Sequence, residues 1–219
     1  MTAAKTAAAF ALVMAAGTSS AAVVTFGSTP GSTKAYAEAG YSISATGDAV
    51  LFIGGSGKCA STCADNGSAW AMAYPAASSA TALLVRATDN SLFNLVSFDA
   101  AEGFANQSAG GARTGWAAEL LVTGVREDDS VVSQVLTLDQ INDGLGRLID
   151  FETFTSSVTG AFKELRFTGI GGATANTFIL DNLSLQRVTL GVPEPRSLAL
   201  VSMALVCATA ARRRKPQLA

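Results

Sequence analysis

Between residues 23 and 190 apolar residues recur mainly at every second position, and no window sustains the 3.6-residue apolar period of an amphipathic helix. Tyr41-Ser42-Ile43-Ser44-Ala45 alternates cleanly, and Ala49 to Ile53 reads as a short apolar strand that ends at Gly54-Gly55-Ser56-Gly57. Further strands are predicted over Thr81 to Arg86, Leu92 to Phe98, Trp116 to Val125, Val131 to Leu138, Arg147 to Phe154, Lys163 to Phe167 and Thr177 to Val188. Turn-forming residues separate them: Asp89-Asn90, Gly110-Gly111, Glu127-Asp128-Asp129-Ser130, Asn142-Asp143-Gly144 and Gly169 to Gly172. Roughly nine to eleven short strands predict an all-β protein, a two-sheet sandwich of jelly-roll type.

The two ends break this pattern. Lys5, the apolar stretch from Thr6 to Ala16 and the small residues Ser20-Ala21-Ala22 have the order of a secretory signal peptide, 1–22, with the mature chain starting at Val23. At the other end Val192-Pro193-Glu194-Pro195 forbids continuation of a strand or helix, which makes 191–196 a linker after an ectodomain at 23–190. Residues 197–211 are uncharged and apolar, and Arg212-Arg213-Arg214-Lys215 follows within the final segment, 197–219. In lipid such a run must be helical, because its backbone groups have no other partners. Fifteen residues rise only about 22 Å, short of the roughly 30 Å hydrocarbon core, and snorkelling arginines or local thinning make up the difference. The basic cluster stops the helix at the anionic inner leaflet.

Pro193-Glu194-Pro195, a short apolar helix and a terminal arginine cluster, in that order, resemble the PEP-CTERM sorting signal of Gram-negative bacteria. The resemblance implies transient insertion in the inner membrane, processing by an exosortase-type membrane transpeptidase, and delivery to the cell envelope or extracellular matrix. It extends into the body: the opening Val23-Val24-Thr25-Phe26, the element from Tyr36 to Tyr41, and Phe178 to Leu185 look like PEP-CTERM ectodomains with a galactose-binding-like jelly roll. In such domains an Asp in the last strand helps bind a structural calcium or hydrogen-bonds an opening loop. Asp181 is the matching residue here, whereas the acidic residue usual after the first strand is absent, since Gly27 follows Phe26.

Charge sharpens the picture. All seventeen acidic residues lie between Glu38 and Glu194, and nine basic residues against them leave the body near −8. That balance argues against nucleic acid as a partner and suits an exported domain. There is no histidine, which removes His-based triads and His-ligated zinc.

Few side chains then stand out. Cys59 and Cys63 lie in a Gly/Ser/Asn-rich loop, where an exported protein favours a local disulfide, while Cys207 sits in the apolar tail. Asp181 interrupts an apolar strand and needs partners, either calcium or backbone N–H groups. Asp139 to Asp150 matches an EF-hand loop at Asp139, Asp143, Gly144 and Asp150 but has Ile141 where an oxygen ligand is required, so a β-hairpin explains it better. Trp70, Tyr74, Trp116, Tyr36 and Tyr41 are the aromatics able to stack on sugar rings, with Trp70 and Tyr74 best placed for a ligand site. Glu102, Glu119 and Glu152 are the candidates for a glycosidase-type pair, though their spacing does not single them out. Asn66-Gly67-Ser68, Asn106-Gln107-Ser108 and Asn182-Leu183-Ser184 match the glycosylation sequon, a pattern common by chance.

The expectation is a non-enzymatic, exported envelope or matrix protein with a structural or adhesive role in the exopolysaccharide layer. The alternative is a lectin-like carbohydrate-binding module, and a carboxylate-dependent polysaccharide hydrolase is the weaker third reading. No cofactor other than a structural calcium at Asp181 is implied. In a host that carries the exosortase, intact-mass measurement should show a start near Val23 and loss of the mass beyond Pro193-Glu194-Pro195; a full-length chain would defeat the sorting assignment. Non-reducing peptide mapping should join Cys59 to Cys63.

Overall fold

The structure is a computed structural model, and it describes residues 21–27, 31–55, 64, 66–74, 81–103, 117–139, 141, 150–172 and 176–188. The leader up to residue 20, Cys59, Cys63, Trp116 and everything from residue 189 onward lie outside the described residues, so the Pro193-Glu194-Pro195 motif, the apolar tail with Cys207 and the Arg212–Lys215 cluster do too. Among the described residues none is helical, and no helix is long and apolar enough to cross a membrane.

The described residues form thirteen strands: β1 (Ala22–Val24), β2 (Gly31–Thr33), β3 (Ala35–Glu38), β4 (Tyr41–Ala45), β5 (Val50–Gly54), β6 (Trp70–Tyr74), β7 (Leu83–Ala87), β8 (Phe93–Glu102), β9 (Glu119–Arg126), β10 (Val131–Thr137), β11 (Glu152–Thr155), β12 (Phe162–Ile170) and β13 (Phe178–Arg187). Every pairing is antiparallel. One layer runs β2-β5-β6-β13-β8, with β11 on the far edge of β8 and β1 beside the second half of β13. The other runs β3-β4-β7-β12-β9-β10. The expected two sheets are joined by one bridge, Phe93 to Phe162, so the sheet is continuous and folded into a sandwich-like β structure.

The layers close on a single core. Beyond the bridge β8 and β12 diverge, yet the Phe98 and Phe167 rings meet edge-on at 5.1 Å. Strand β4 likewise lies against β5 and β6 without pairing to them. Tyr41, Ile43, Leu83, Val85, Leu120, Val122 and Leu165 from one layer pack with Leu51, Ile53, Leu95, Phe178, Leu180, Leu183 and Leu185 from the other. Fully burying an aliphatic or aromatic side chain of this kind contributes about 1.5–3 kcal/mol before chain entropy is subtracted.

Local chemistry sets the turns. Ala39 and Gly40, both at positive φ, form the two-residue link from β3 to β4, the geometry that matches strand twist in a tight hairpin. Asn90 and Asp129 take left-handed φ at the expected Asp89-Asn90 and Glu127 to Ser130 turns. The turn at Glu127 to Ser130 joins β9 to β10 as a hairpin. The hairpin expected between Val131–Leu138 and Arg147–Phe154 is not formed: β10 pairs β9, and β11 pairs β8. Phe154 of β11 lies opposite Phe98 in that pairing and stacks on it at 5.5 Å.

Strand β6 was not expected from the sequence. Its residues Trp70 to Ala73 are buried on both faces, so Ala71 and Ala73 enter the main core while Trp70 and Met72 form a second cluster with Ala64, Ala101 and Ile179. Gly54 pairs with Trp70, and a Cβ built on Gly54 would come within 2.2 Å of the indole ring. Gly54→Ala is therefore expected to lower stability by about 1–3 kcal/mol, read from the urea midpoint; an unchanged midpoint would mean that the indole can move aside.

Candidate functional site

Burial separates the predicted aromatics. Trp70 is 1% exposed, packed under Ala64 and beside Phe52, and cannot offer a face to a sugar. Tyr74, at the end of the same strand, is 50% exposed. Tyr36 packs on Phe26 and donates its hydroxyl to Glu38 Oε2 at 3.0 Å. Tyr41 is wholly buried, edge-on to Phe93, and burial pushes its pKa up against the opposing charge of Arg187. Of the described aromatics singled out in the sequence, Tyr74 alone remains a candidate platform.

Asp181 is fully buried on the outer side of β13. It accepts Asn66 Nδ2 at 2.9 Å and Ser68 Oγ on Oδ2, and the amide of Asn182 at 2.7 Å on Oδ1. Burial raises its pKa, with those hydrogen bonds opposing and the nearby Asp99 adding to the rise. Calcium needs converging oxygen acceptors. The described groups that meet Asp181 do so as hydrogen-bond donors. Asp181 instead pins the 66–68 segment, whose neighbour Ala64 closes the Trp70 cluster. The network continues across the sheet: Asn182 Nδ2 reaches Asp99 Oδ2 at 2.7 Å, and Thr153 Oγ1 reaches Asp99 Oδ1 at 2.7 Å. The opening segment is held by Glu38, a residue the sequence did not single out. Glu38 accepts the amides of Thr25 and Phe26 at 3.1 and 2.9 Å and the Thr25 hydroxyl at 3.0 Å.

The fold brings Glu102 and Glu152 together and adds Asp139, with one oxygen of each lying within 4.8 Å of the others. Glu119 pairs with Thr137 and Ile170 and takes no part. Glu102 is 1% exposed, which denies a polysaccharide access. Glu152 Oε1 already accepts the Asp139 amide at 2.9 Å, and Asp139 Oδ1 the Ile141 amide at 2.7 Å. Hard oxygen ligands at this spacing make it the described group best suited to a divalent cation. Of the EF-hand-like loop, Asp143 and Gly144 lie outside the described residues.

A concave feature lies elsewhere, where β8 begins and β13 ends. A cleft of about 600 Å³ has Leu92 and Val188 as its aliphatic part, bonded to each other from Val188 N to Leu92 O at 2.9 Å. Around them stand Arg86, Asn90, Ser91, Glu127, Lys163 and Glu164. Glu164 is 4% exposed and takes Arg86 on Oε2 and Arg166 on Oε1, with Arg86 Nε at 2.7 Å. Burial pushes the Glu164 carboxyl up, but the hydrogen bonds and charges of Arg166 and Arg86 outweigh it and hold the pKa below the ordinary value. Lys163 pairs with Asp129 across the β9–β10 turn. Arg187 fixes the opposite wall: it bonds Asp89, Ser91 Oγ at 2.9 Å and Gly40 O at 3.2 Å, with its guanidinium 5.7 Å from the centre of the Tyr41 ring. Hydrogen bonds from Ser91 and Arg187 hold Asp89 well below the usual carboxylate range.

Two cations and two anions line the cleft, so its formal charge is zero within an acidic body. The Asn90 amide and the Glu127 carboxylate make no side-chain bond to any described residue, and they offer a donor and an acceptor to a guest. None of these residues was flagged by the sequence, because they come from five separated segments. The Asp89-Asn90 and Glu127–Ser130 turn signals were the only local hint.

No protein-family model and no curated relative matches the sequence. Among solved structures the chain is similar to a mutant of CBM29-2, a family 29 carbohydrate-binding module, at 10% identity over 76% of this chain and 92% of that one, TM-score 0.42. It is also similar to the CBM22-1 xylan-binding domain of Xyn10C from Paenibacillus barcinonensis, at 12% identity over 80% and 100%, TM-score 0.43. A family 11 carbohydrate-binding module of Clostridium thermocellum aligns at 9% identity over 74% and 97%, TM-score 0.33.

Glu164 gives an acid signature. A carboxylate with a depressed folded pKa adds stability above its unfolded value of about 4.3, and that stability is lost as pH falls through the folded value. Glu164→Gln should therefore cost about 1–3 kcal/mol at neutral pH, with the gap to wild type closing on acidification below about pH 4. Urea denaturation across pH reads both, and a gap that widens in acid would contradict the assignment.

Proposed function

We propose that the exported body is a non-catalytic carbohydrate-binding module with a jelly-roll connectivity, and that the cleft at Leu92 and Val188 holds a short stretch of a neutral polysaccharide. The supporting observation is the cleft itself: a concave site of ligand size, charge-balanced, with an aliphatic patch beside donors and acceptors. Sugar rings present C–H faces and hydroxyls that both donate and accept. Leu92 and Val188 suit the first, and Asn90, Arg86 and Glu127 suit the second. A zero formal charge favours a neutral chain over a uronate. The PEP-CTERM-like tail supports delivery to the envelope or matrix through exosortase processing, where such a module would hold exopolysaccharide.

Binding of the purified chain to a panel of neutral and acidic polysaccharides tests this. Xylan, bound by one of the distant likenesses above, enters as one neutral member among several. Glu127→Gln and Asn90→Gly, the latter keeping the left-handed backbone, should each weaken binding by about 1 kcal/mol, roughly fivefold, with unchanged melting temperature. Saturable binding that neither substitution alters would move the site away from the cleft. Absence of binding to every glycan would favour the purely structural role.

A further inference from the structure

Strand β10 stands at the edge of its layer: among the described residues it pairs with β9 alone, and its other side meets no strand. The ladder fixes which groups face that side. Arg126 N donates to Ser130 O at 2.9 Å and Leu138 N to Ala118 O at 3.0 Å, in the register that sets Val131 opposite Val125. Antiparallel pairs alternate between bonded and non-bonded, so Val132, Gln134 and Leu136 exchange backbone bonds with β9. Val131, Ser133, Val135 and Thr137 turn their N–H and C=O groups outward. Their side chains are exposed as well, Val131 and Val135 by more than half. Folds usually blunt such an edge by keeping it short or by placing a charge, a proline or a bulge on it. The other strands with a single partner, β1, β2, β3 and β11, are three or four residues long. Strand β10 has seven residues in unbroken register, and from Ser130 to Leu138 the chain carries no charge, no proline and no glycine.

We propose that this edge is the interface of a homodimer, in which β10 pairs antiparallel with β10 of a second copy. A two-fold axis at Gln134 sets Val131 opposite Thr137 of the second copy and Ser133 opposite its Val135. Every outward backbone group then faces an outward group of the other chain, so one register satisfies both strands. Val131 and Val135 lose exposed surface in the same step. Charge favours a second copy as the occupant. A body near −8 sets most of its surface against a like chain, whereas this strand is neutral. Just beyond the strand Asp129 comes level with Asp139 of the other copy, and Lys163, already paired with Asp129, supplies a cation at each such meeting. The pairing uses each edge once, so it closes at two copies and does not propagate. Seven residues extend about 24 Å. Edge-on contact of that length stays under the roughly 1,200 Å² of a stable interface, so the dimer is weak and reversible. No residue of β10 lines the cleft at Leu92 and Val188, and the dimer stands apart from glycan binding.

The test is sedimentation equilibrium on the purified full chain from about 10 µM to about 1 mM. The average mass is expected to rise with concentration from that of one chain toward that of two. Hydrogen exchange gives a second readout. The amides of Val131, Ser133, Val135 and Thr137 should gain protection as concentration rises, while those of Val132, Gln134 and Leu136 are protected throughout. Ser133→Pro removes an outward N–H and no bond to β9, a change that an edge strand tolerates. Val135→Lys sets a charge on the same edge. Each should keep the melting temperature and weaken association by about tenfold. If Ser133→Pro fails to fold, Val135→Lys and the exchange pattern decide. A chain that stays monomeric over the whole range overturns the proposal. So does association that Val135→Lys leaves unchanged, since another surface or the apolar tail would then carry it. Protection of the four outward amides already at the lowest concentration overturns it as well, because a segment of the same chain would then cover the edge.

Discussion

The ladder between β8 and β13 is the constraint on which the rest of the structure depends. Both strands are ten residues long, and their register slips between the pairs Asp181–Asp99, Ser184–Ser97 and Leu185–Leu95. Asn182 sits in that irregularity with φ +48°. A bulge changes which residues face which side. In β13 the core positions are Phe178 and Leu180 before it, then Leu183 and Leu185 after it; in β8 they are Phe93 and Leu95, then Phe98 and Ala100. Both strands shift parity together, and so each stays apolar on its inner face along its whole length. Without the shift, half of each strand would turn its leucines and phenylalanines to solvent.

That irregularity also organises the outer face. Asp181 and Asp99 are paired across it, and Asn182 links to both, by its amide to Asp181 and by its side chain to Asp99. A carboxylate as buried as Asp181 is tolerated because donors converge on it. The 66–68 segment supplies two of those donors, and in return its position over the sheet is fixed. Burial of Trp70 follows from the same arrangement. The best sugar platform in the sequence is thus a structural side chain.

At its far end the ladder makes the cleft. Leu92 and Val188 stand just beyond the final pair, Phe93 with Arg187, and the two layers part there after the Phe93–Phe162 bridge. The four ion pairs among the described residues all lie around this opening: Arg86 and Arg166 with Glu164, Lys163 with Asp129, and Arg187 with Asp89. Most are half exposed and add little to stability. Their effect is geometric, since they hold planar guanidinium and carboxylate groups at fixed angles around an aliphatic patch. Within a body near −8, Arg86 and Lys163 neutralise the two carboxylates of this cleft, Glu127 and Glu164.

Alternation along the chain was enough to place β4 at its observed limits and to set β10, β12 and β13 within a few residues, because one face of each is apolar and the other is not. Turn residues located Asp89-Asn90 and Glu127 to Ser130 for the equally local reason that Asn and Asp tolerate left-handed backbone. Strand β6 escaped because Trp70 to Ala73 is buried on both sides, which erases the period-two signal. The partner of β11 escaped because a strand does not encode its neighbour; the pairing sets Phe154 on Phe98, 56 residues away in the chain. The sequence by itself determined an all-β body, its acidic charge and the distinct character of its two ends, since each is a property of composition or of short-range period. Tertiary structure alone decided which layer each strand joined, that Trp70 is covered and Tyr74 is not, and that Arg86, Asn90, Leu92, Glu127, Glu164 and Val188 share a cleft. These outcomes depend on contacts between residues far apart in the chain, and no local pattern carries them.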